Sequence, residues 1–458
     1  MKAIHRPARD VPVRYECDVI VVGGGSAGVA AAVAAAREGA DTLLVERAGF
    51  LGGVMTVTSL GGICGLYSLL DGKPHQMVFG FAEEVRERLE RRGAAHGPVA
   101  WLMTASLPYD LQQMKEVCDD FVRERNLAVL LHARVTDVAR ELRTIGALIV
   151  RTPSSEMAVR ARVVIDASGD GEVCALAGQA YAYDREHVQF PTTMFRMGGV
   201  DTERARKLGR EAIRPILEQA IAEGYDLPRT TGGIYTVRDG ITHLNITRVA
   251  LPDGRPPDVL SAEDLTYAEF EGRRQAALYL EVFRKYVPGY ENAFILDTGA
   301  EIGIRESRRV TGDYVVTSDD VLGERKFDDG IAANCWPIED HGADRSTRWV
   351  WLSPGGFNHI PYRALVPNGL DNVLIAGRCL SSTHDAQAAL RVTANCFSMG
   401  QAAGIAAALT LEGKGDVRAI EVHSLQARLT ALGARLGLAP GRPVEATPRC
   451  SGSNRREC

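Results

Sequence analysis

Four residues near the start of the chain have the types and spacing to hold the diphosphate and ribose of a dinucleotide. They are Gly23, Gly25 and Gly28, in VVGGGSAG, and Glu46, which lies 18 residues after the last glycine. In such a turn the first glycine permits the sharp bend and the second lets the backbone approach the pyrophosphate. The third lets the following helix pack closely on the preceding strand. The helix start, with Ser26 and Ala27 on its first turn, offers N–H donors and a partial positive charge to phosphate. An acid ending the second strand accepts hydrogen bonds from both ribose hydroxyls. It repels a 2′-phosphate, so NADP is disfavoured at this site. A glycine triad becomes specific only when strand, helix and acid all stand in place, as the pattern here requires.

Two further segments extend the site. Arg47 and then Gly52-Gly53 follow the acid, where a chain gripping a larger cofactor must pass close to pyrophosphate and ring system. A plain loop uses glycine pairs too. Ala167, Ser168 and Gly169, in IDASGD, follow an apolar strand, and their small side chains allow backbone approach to an adenosine half. The last segment runs as a strand over 373–376 and turns at Gly377 and Arg378. It then enters a helix over about 394–409, with Thr393 as the expected N-cap and Gly400 and Gly404 on one face. If that helix start points at the C2 carbonyl of a flavin, it stabilises the negative charge that gathers there on reduction. Ala394 and Asn395, at the helix start, join the cofactor-binding set. A close-packed helix and strand would use the same glycines. In this order and at this separation, the three segments specify FAD.

Several side chains are candidates for the reacting centre. His384, between the third strand and its helix, suits a general base that takes a substrate proton near neutral pH, or a residue that bonds the loop or the flavin. His359 and Tyr362, in FNHIPYRAL, are expected to return toward the flavin domain as pocket residues. Arg305, Arg308 and Arg309 sit in GIRESRRVTGDY, and at least one could clamp a carboxylate in a two-pronged contact. Arg308 is the preferred anchor, while Arg309 is expected to pair with Glu301, Glu306 or Asp313. Arg391 contacts cofactor or substrate, or closes an interdomain salt bridge. Cys64, in GGICGLY, is expected near the flavin ring as a small filler or a reactive thiol. The nine cysteines include no Cys-x-x-Cys pair, and no metal site is expected.

With IGIRESRRVTGDYVVT at 302–317 and IPYRALVP at 360–367, these segments resemble the FAD-dependent oxidoreductase family of the glutathione-reductase-like superfamily. The resemblance lies near the succinate dehydrogenase and fumarate reductase flavoproteins and the thiazole-synthase-like proteins. It runs over about residues 15–435. It implies an FAD enzyme, with a dehydrogenase that passes hydride from a small polar organic substrate to flavin N5 as the leading expectation. The alternatives are a reductase or monooxygenase using NAD(P)H, a thiazole-synthase-like role for a sacrificial Cys64 or Cys379, and an RNA-modifying flavin protein. Many relatives carry an acid after the strand glycine that bonds the ribityl chain. Arg378 stands there instead, so the acid's part is not carried over to it.

The elements that must position these residues are legible at low resolution. The fold class expected is α/β: a Rossmann-like FAD-binding domain of parallel sheet, helices and a small β-meander, plus an inserted α+β substrate domain. The first would be discontinuous, over 15–180 and 360–436, the cap would span 181–359, and a disordered tail would occupy 437–458. Apolar β-branched residues at 19–22 read as a buried parallel strand, followed by an alanine-rich helix over 28–37 and a second strand over 42–46. A meander is expected over 135–139, 145–150 and 157–164, and helices over 77–92, 111–124, 201–222 and 262–286. The 458 residues are 45% hydrophobic and 24% charged, as in an ordinary globular protein. A net charge of −5 argues against a nucleic-acid partner. No apolar run is long enough to span a membrane, and the N-terminus shows no signal-peptide pattern. A cytoplasmic protein with reduced cysteines and a small-molecule substrate is expected, with a homodimer left open.

Overall fold

The computed structural model describes residues 4–5, 8–125, 127–209, 211–342, 347–413 and 415–437. The expected tail lies, beyond residue 437, outside the described residues.

Three motifs far apart in sequence meet because of how one sheet is ordered. β1 (Val13–Val22) pairs in parallel with β2 (Thr42–Val45), and β2 with β3 (Ala128–Leu130). On its other side β1 pairs in parallel with the long strand β4 (Glu156–Asp166). The first half of β4 pairs antiparallel with Thr144–Arg151, which in turn pairs with Arg134–Glu141. This is the meander. The last residues of β4, Val164–Asp166, pair in parallel with β5 (Val373–Ile375). The carboxyl ends of β1, β2, β4 and β5 therefore share one edge of the sheet, where ligands of open α/β folds bind. The paired central residues Val19–Val22, Val163–Ile165 and Val373–Ile375 are buried, as the continuous apolar runs require.

α1 (Ser26–Arg37) follows β1, and α2 (His384–Leu390) and α3 (Thr393–Glu412) follow β5. The cap of α3 is Val392, and Thr393 is its first helical residue rather than its N-cap. The helix lies directly on α1. A Cβ on Gly400 would come 2.0 Å from the Ala27 carbonyl oxygen, and one on Gly404 2.2 Å from that of Ala31. Those glycines serve helix packing, and the alanine-rich face of α1 allows the same close approach.

A four-stranded antiparallel sheet inside the first block was not marked by the sequence. It comprises Gly62–Leu70, Lys73–Gln76, Val99–Trp101 and Thr104–Pro108. The inserted block carries a second antiparallel sheet of Phe195–Gly198, Gly233–Tyr235, Ile241–Asn245 and Phe294–Thr298. The helix Ala262–Tyr286 packs on it around Phe195, Leu244, Tyr279 and Phe283. The helix expected over 201–222 is two, Thr202–Leu208 and Ile213–Ala222. From Val316 onward, residues such as Val321, Ile331 and Ile360 join the core shared with α1 and α3. The separate core of the insert thus stops well short of residue 359. Among the described residues no helix is long and apolar enough to cross a membrane.

Candidate active site

A cleft of about 540 Å³ opens at the carboxyl edge of the first sheet. That volume is in the range of cofactor and substrate pockets. From the first motif it is lined by Gly23, Gly25, Ser26, Ala27, Glu46, Arg47 and Gly53, from the second by Ala167, Ser168 and Gly169, and from the third by Gly377 and Arg378. The turn geometry explains the first glycine. Gly23 has φ +98°, and a Cβ there would lie 2.5 Å from the Ala167 carbonyl oxygen. Gly28 does not line the cleft. Its missing side chain lets α1 sit against the turn, since a Cβ would fall 1.7 Å from the Gly23 oxygen. Gly52 bridges to Gly25 behind the lining. Ala394 and Asn395 are buried under the start of α3 instead of facing the cleft. Asn395 donates to Asn334 Oδ1 at 2.7 Å. In their place Val392, Thr393 and Cys396 present the helix start.

Glu46 also braces the turn itself. Its Oε2 accepts from the Gly24 N–H at 2.6 Å and its Oε1 from the Ala48 N–H at 2.7 Å. The carboxylate thereby holds the glycine turn and still faces the cleft with its remaining lone pairs. Asp166, fully buried, accepts from Ser168 N and Oγ and from Cys174 N, which fixes the second motif's turn. Asp170, which sequence reasoning passed over, lines the cleft and pairs with Arg378 at 2.8 Å. Burial alone would raise its pKa; Arg378 and Ser307 bring it below the usual carboxylate range. Arg47 pairs with Glu301. These features fit FAD. The N-cap of α1 is glycine, leaving that turn's N–H groups for phosphate, Gly23 and Gly53 have no room for a side chain, and an acid ends the second strand at the edge of the cleft.

The four expected catalytic residues fall outside the lining. His359 lies in the strand Asn358–Pro361, its Nδ1 3.1 Å from Phe327 N. Tyr362 is buried and donates to the Val417 carbonyl at 2.7 Å. Arg308 donates to the Asp170 carbonyl at 3.1 Å and lies over the Tyr181 ring. His384 stands between two acids, with Nδ1 2.8 Å from Glu306 Oε2 and Nε2 3.5 Å from Asp340 Oδ1. Burial opposes its charge, but those carboxylates push its pKa up to about 10. A cation at neutral pH has no lone pair to take a proton, which disfavours the base role expected for it. Asp340, His384 and Asp385 bring ligand-type atoms within 4.8 Å of one another, yet Arg348 already bridges both aspartates. Arg309 pairs with Glu306. Cys64 does line the cleft, 3.5 Å from Ser106 Oγ, whereas Cys379 is wholly buried.

Other residues complete the far wall. Arg305, Arg391, Glu339, His341 and Trp349 all face the cleft. The last three belong to the antiparallel hairpin of Ile338–Asp340 and Arg348–Val350, or flank it, and Glu339 sits directly across from Trp349. His341 Nε2 is 3.1 Å from Glu339 Oε1, and its Nδ1 is 3.3 Å from Thr347 Oγ1. Burial and the Arg305 charge hold the imidazole well below its ordinary pKa. Burial would raise Glu339, but the His341 hydrogen bond and the Arg391 and Arg305 charges bring it down to about 2. At neutral pH the pair is a carboxylate and a neutral imidazole. Nothing local in the sequence signals the state of His341, because it is set by burial and by Arg305, which is distant in sequence.

A family profile described as FAD dependent oxidoreductase matches residues 18–429. No curated protein matches the chain. Among solved structures, a geranylgeranyl bacteriochlorophyll reductase-like protein from Thermoplasma acidophilum is 14% identical with a TM-score of 0.45, over 91% of this chain and 83% of that one. The flavin-dependent brominase Bmp2 is 13% identical with a TM-score of 0.45, over 91% and 84%. The p-nitrophenol 4-monooxygenase PnpA from Pseudomonas putida DLL-E4 is 12% identical with a TM-score of 0.43, over 91% and 82%.

Proposed function

The chain belongs to the FAD dependent oxidoreductase family, and from that premise we propose that it is a dehydrogenase of a small organic substrate with His341 as the proton acceptor. Bound FAD supplies the two-electron acceptor that the protein lacks. Gly23, Gly25, Ser26 and Ala27 would hold its diphosphate and Glu46 its ribose, and the start of α3 lines the same cleft through Val392, Thr393 and Cys396. FAD bound there would supply the hydride acceptor, and His341 would take the accompanying substrate proton.

The observation that carries this reading is a histidine, hydrogen-bonded to Glu339, in the same cleft as the glycine turn, where burial and the Arg305 charge hold its pKa well below the ordinary value. Glu339 accepts a hydrogen bond from Nε2–H, which fixes the tautomer, and the Nδ1 lone pair, met by the Thr347 hydroxyl at 3.3 Å, takes the proton once that hydroxyl turns away. The same carboxylate stabilises the imidazolium that results. Substrate enclosure falls to the inserted block, from which Met194, Tyr235 and Asn245 also reach the cleft.

The test is an anaerobic screen of alcohols, amines and hydroxy acids, following loss of the flavin absorbance. The reading requires that one of them bleaches the flavin without added pyridine nucleotide. Rapid bleaching by NADH or NADPH, with no organic substrate doing so, would instead mark a reductase or monooxygenase.

A further inference from the structure

Arg305 and Arg391 are two guanidinium groups in the cleft with no acid in ion-pair contact among the described residues. Arg305 is 7% exposed and donates to neutral acceptors: the Phe190 carbonyl at 2.7 Å, the Thr192 hydroxyl, and Asn245 Oδ1 at 3.3 Å. Arg391 donates to Gln189 Oε1 at 3.0 Å and to the Glu339 carbonyl at 3.3 Å, and its Nε is buried with no partner among those residues. Glu306 is not available to them, since Arg309 and His384 take it. Glu339 is one carboxylate facing two arginines, and the neutral His341 adds no charge to balance. Burial and mutual repulsion push the Arg305 pKa well below its ordinary value, and burial lowers that of Arg391. An unpaired buried cation is expensive to keep. A chain of amides holds both in place: Gln189 bonds Arg391 and Gln387, and Gln387 bonds the Arg305 carbonyl at 2.9 Å.

Beside these charges stands an aromatic wall. Trp349 is stacked on Trp351 at 5.1 Å and meets Trp101 edge-on at 5.2 Å, and both Trp349 and Trp101 line the cleft. Trp349 lies across the hairpin from Glu339, whose carbonyl holds Arg391, so wall and charge adjoin.

Resting on the dehydrogenase reading, we propose that the substrate is an aromatic carboxylate, its carboxylate held by Arg305 and Arg391 and its ring against Trp349 and Trp101. The arginines gain their missing counter-charge in a two-pronged contact, and the flat ring gains the apolar wall. Arg47 and Arg378, paired with Glu301 and Asp170, belong to the cofactor side and take no part.

Calorimetric titration of FAD-loaded protein with benzoate, benzamide and acetate tests this without turnover. Benzoate should bind at least about tenfold more tightly than benzamide, the loss expected for one charge-assisted hydrogen bond. It should exceed acetate by a similar factor. Arg391→Gln should erase the preference over benzamide while flavin content stays at the wild-type level, and Arg391→Lys should restore part of it. Equal binding of benzoate and benzamide, or a preference that survives Arg391→Gln, overturns the charge assignment. Acetate binding as tightly as benzoate overturns the aromatic one. Loss of FAD from folded Arg391→Gln would place Arg391 on the cofactor and also overturn it. Wild-type protein that binds benzoate selectively but is bleached only by NADH keeps this inference and removes the dehydrogenase reading.

Discussion

The carboxylate of Glu339 lies 3.1 Å from Nε2 of His341, and both groups face the cleft that the glycine turn also lines. Buried beside Arg305, the imidazole stays neutral, and the acid gives it orientation. His384, only seven residues before Arg391, has two acids and is held as a cation. The two histidines thus differ in charge because of their partners and not because of their own sequence surroundings.

Glu46→Ala should weaken FAD binding by roughly 10- to 150-fold, the equivalent of losing about 1.5–3 kcal/mol from a charge-assisted bond. The variant also frees the Gly24 and Ala48 N–H groups, so the glycine turn loosens. Flavin retained after dialysis measures the effect. Full occupancy in the variant would count against the assignment.

Gly400→Ala should destabilise the fold by about 1–3 kcal/mol, as overpacking does. The new methyl would meet the Ala27 backbone 2.0 Å away, and α1 cannot yield without moving the phosphate turn. Urea unfolding midpoints of the two proteins report it. An unchanged midpoint would mean the helices do not pack this closely.

His384 contributes stability with a definite pH dependence. Its folded pKa, near 10, lies above the unfolded value of about 6.5. The folded state therefore binds the proton more tightly. That stabilisation is fully present below pH 6.5 and is lost as the pH rises toward 10. The stability gap between wild type and His384→Gln should narrow over that window. A gap that is constant or widens contradicts the ion-paired cation.

The flavin should be held without a covalent bond. Acid precipitation should release FAD to the supernatant, although Cys64 lines the cleft. Yellow colour that stays with the pellet would point to a thiol link.

How much of this could be read from the chain follows from where each signal resides. The glycine turn, Glu46 and the βαβ unit are encoded within some thirty residues, and the structure places them as that pattern implies. Gly400 and Gly404 were legible as small residues on one helix face, but the face meets α1, which sequence spacing does not reveal. Arg308 was the preferred anchor, yet it is Arg305 that faces the cleft, since neighbours three apart in an irregular segment give no clue to direction. The protonation of His341 and His384 was out of reach. Each is set by groups brought in from other segments, such as Glu306, 78 residues before His384.

The most direct measurement is the rate at which a substrate found by the anaerobic screen bleaches the flavin in a single turnover, for wild type, His341→Gln and His384→Gln. A positioned base is worth about 10²–10⁴ in rate. The account predicts that His341→Gln keeps its FAD and slows bleaching by that factor, while His384→Gln reduces nearly as fast as wild type at neutral pH. Bleaching at the wild-type rate in His341→Gln, with the large loss appearing in His384→Gln instead, would contradict it.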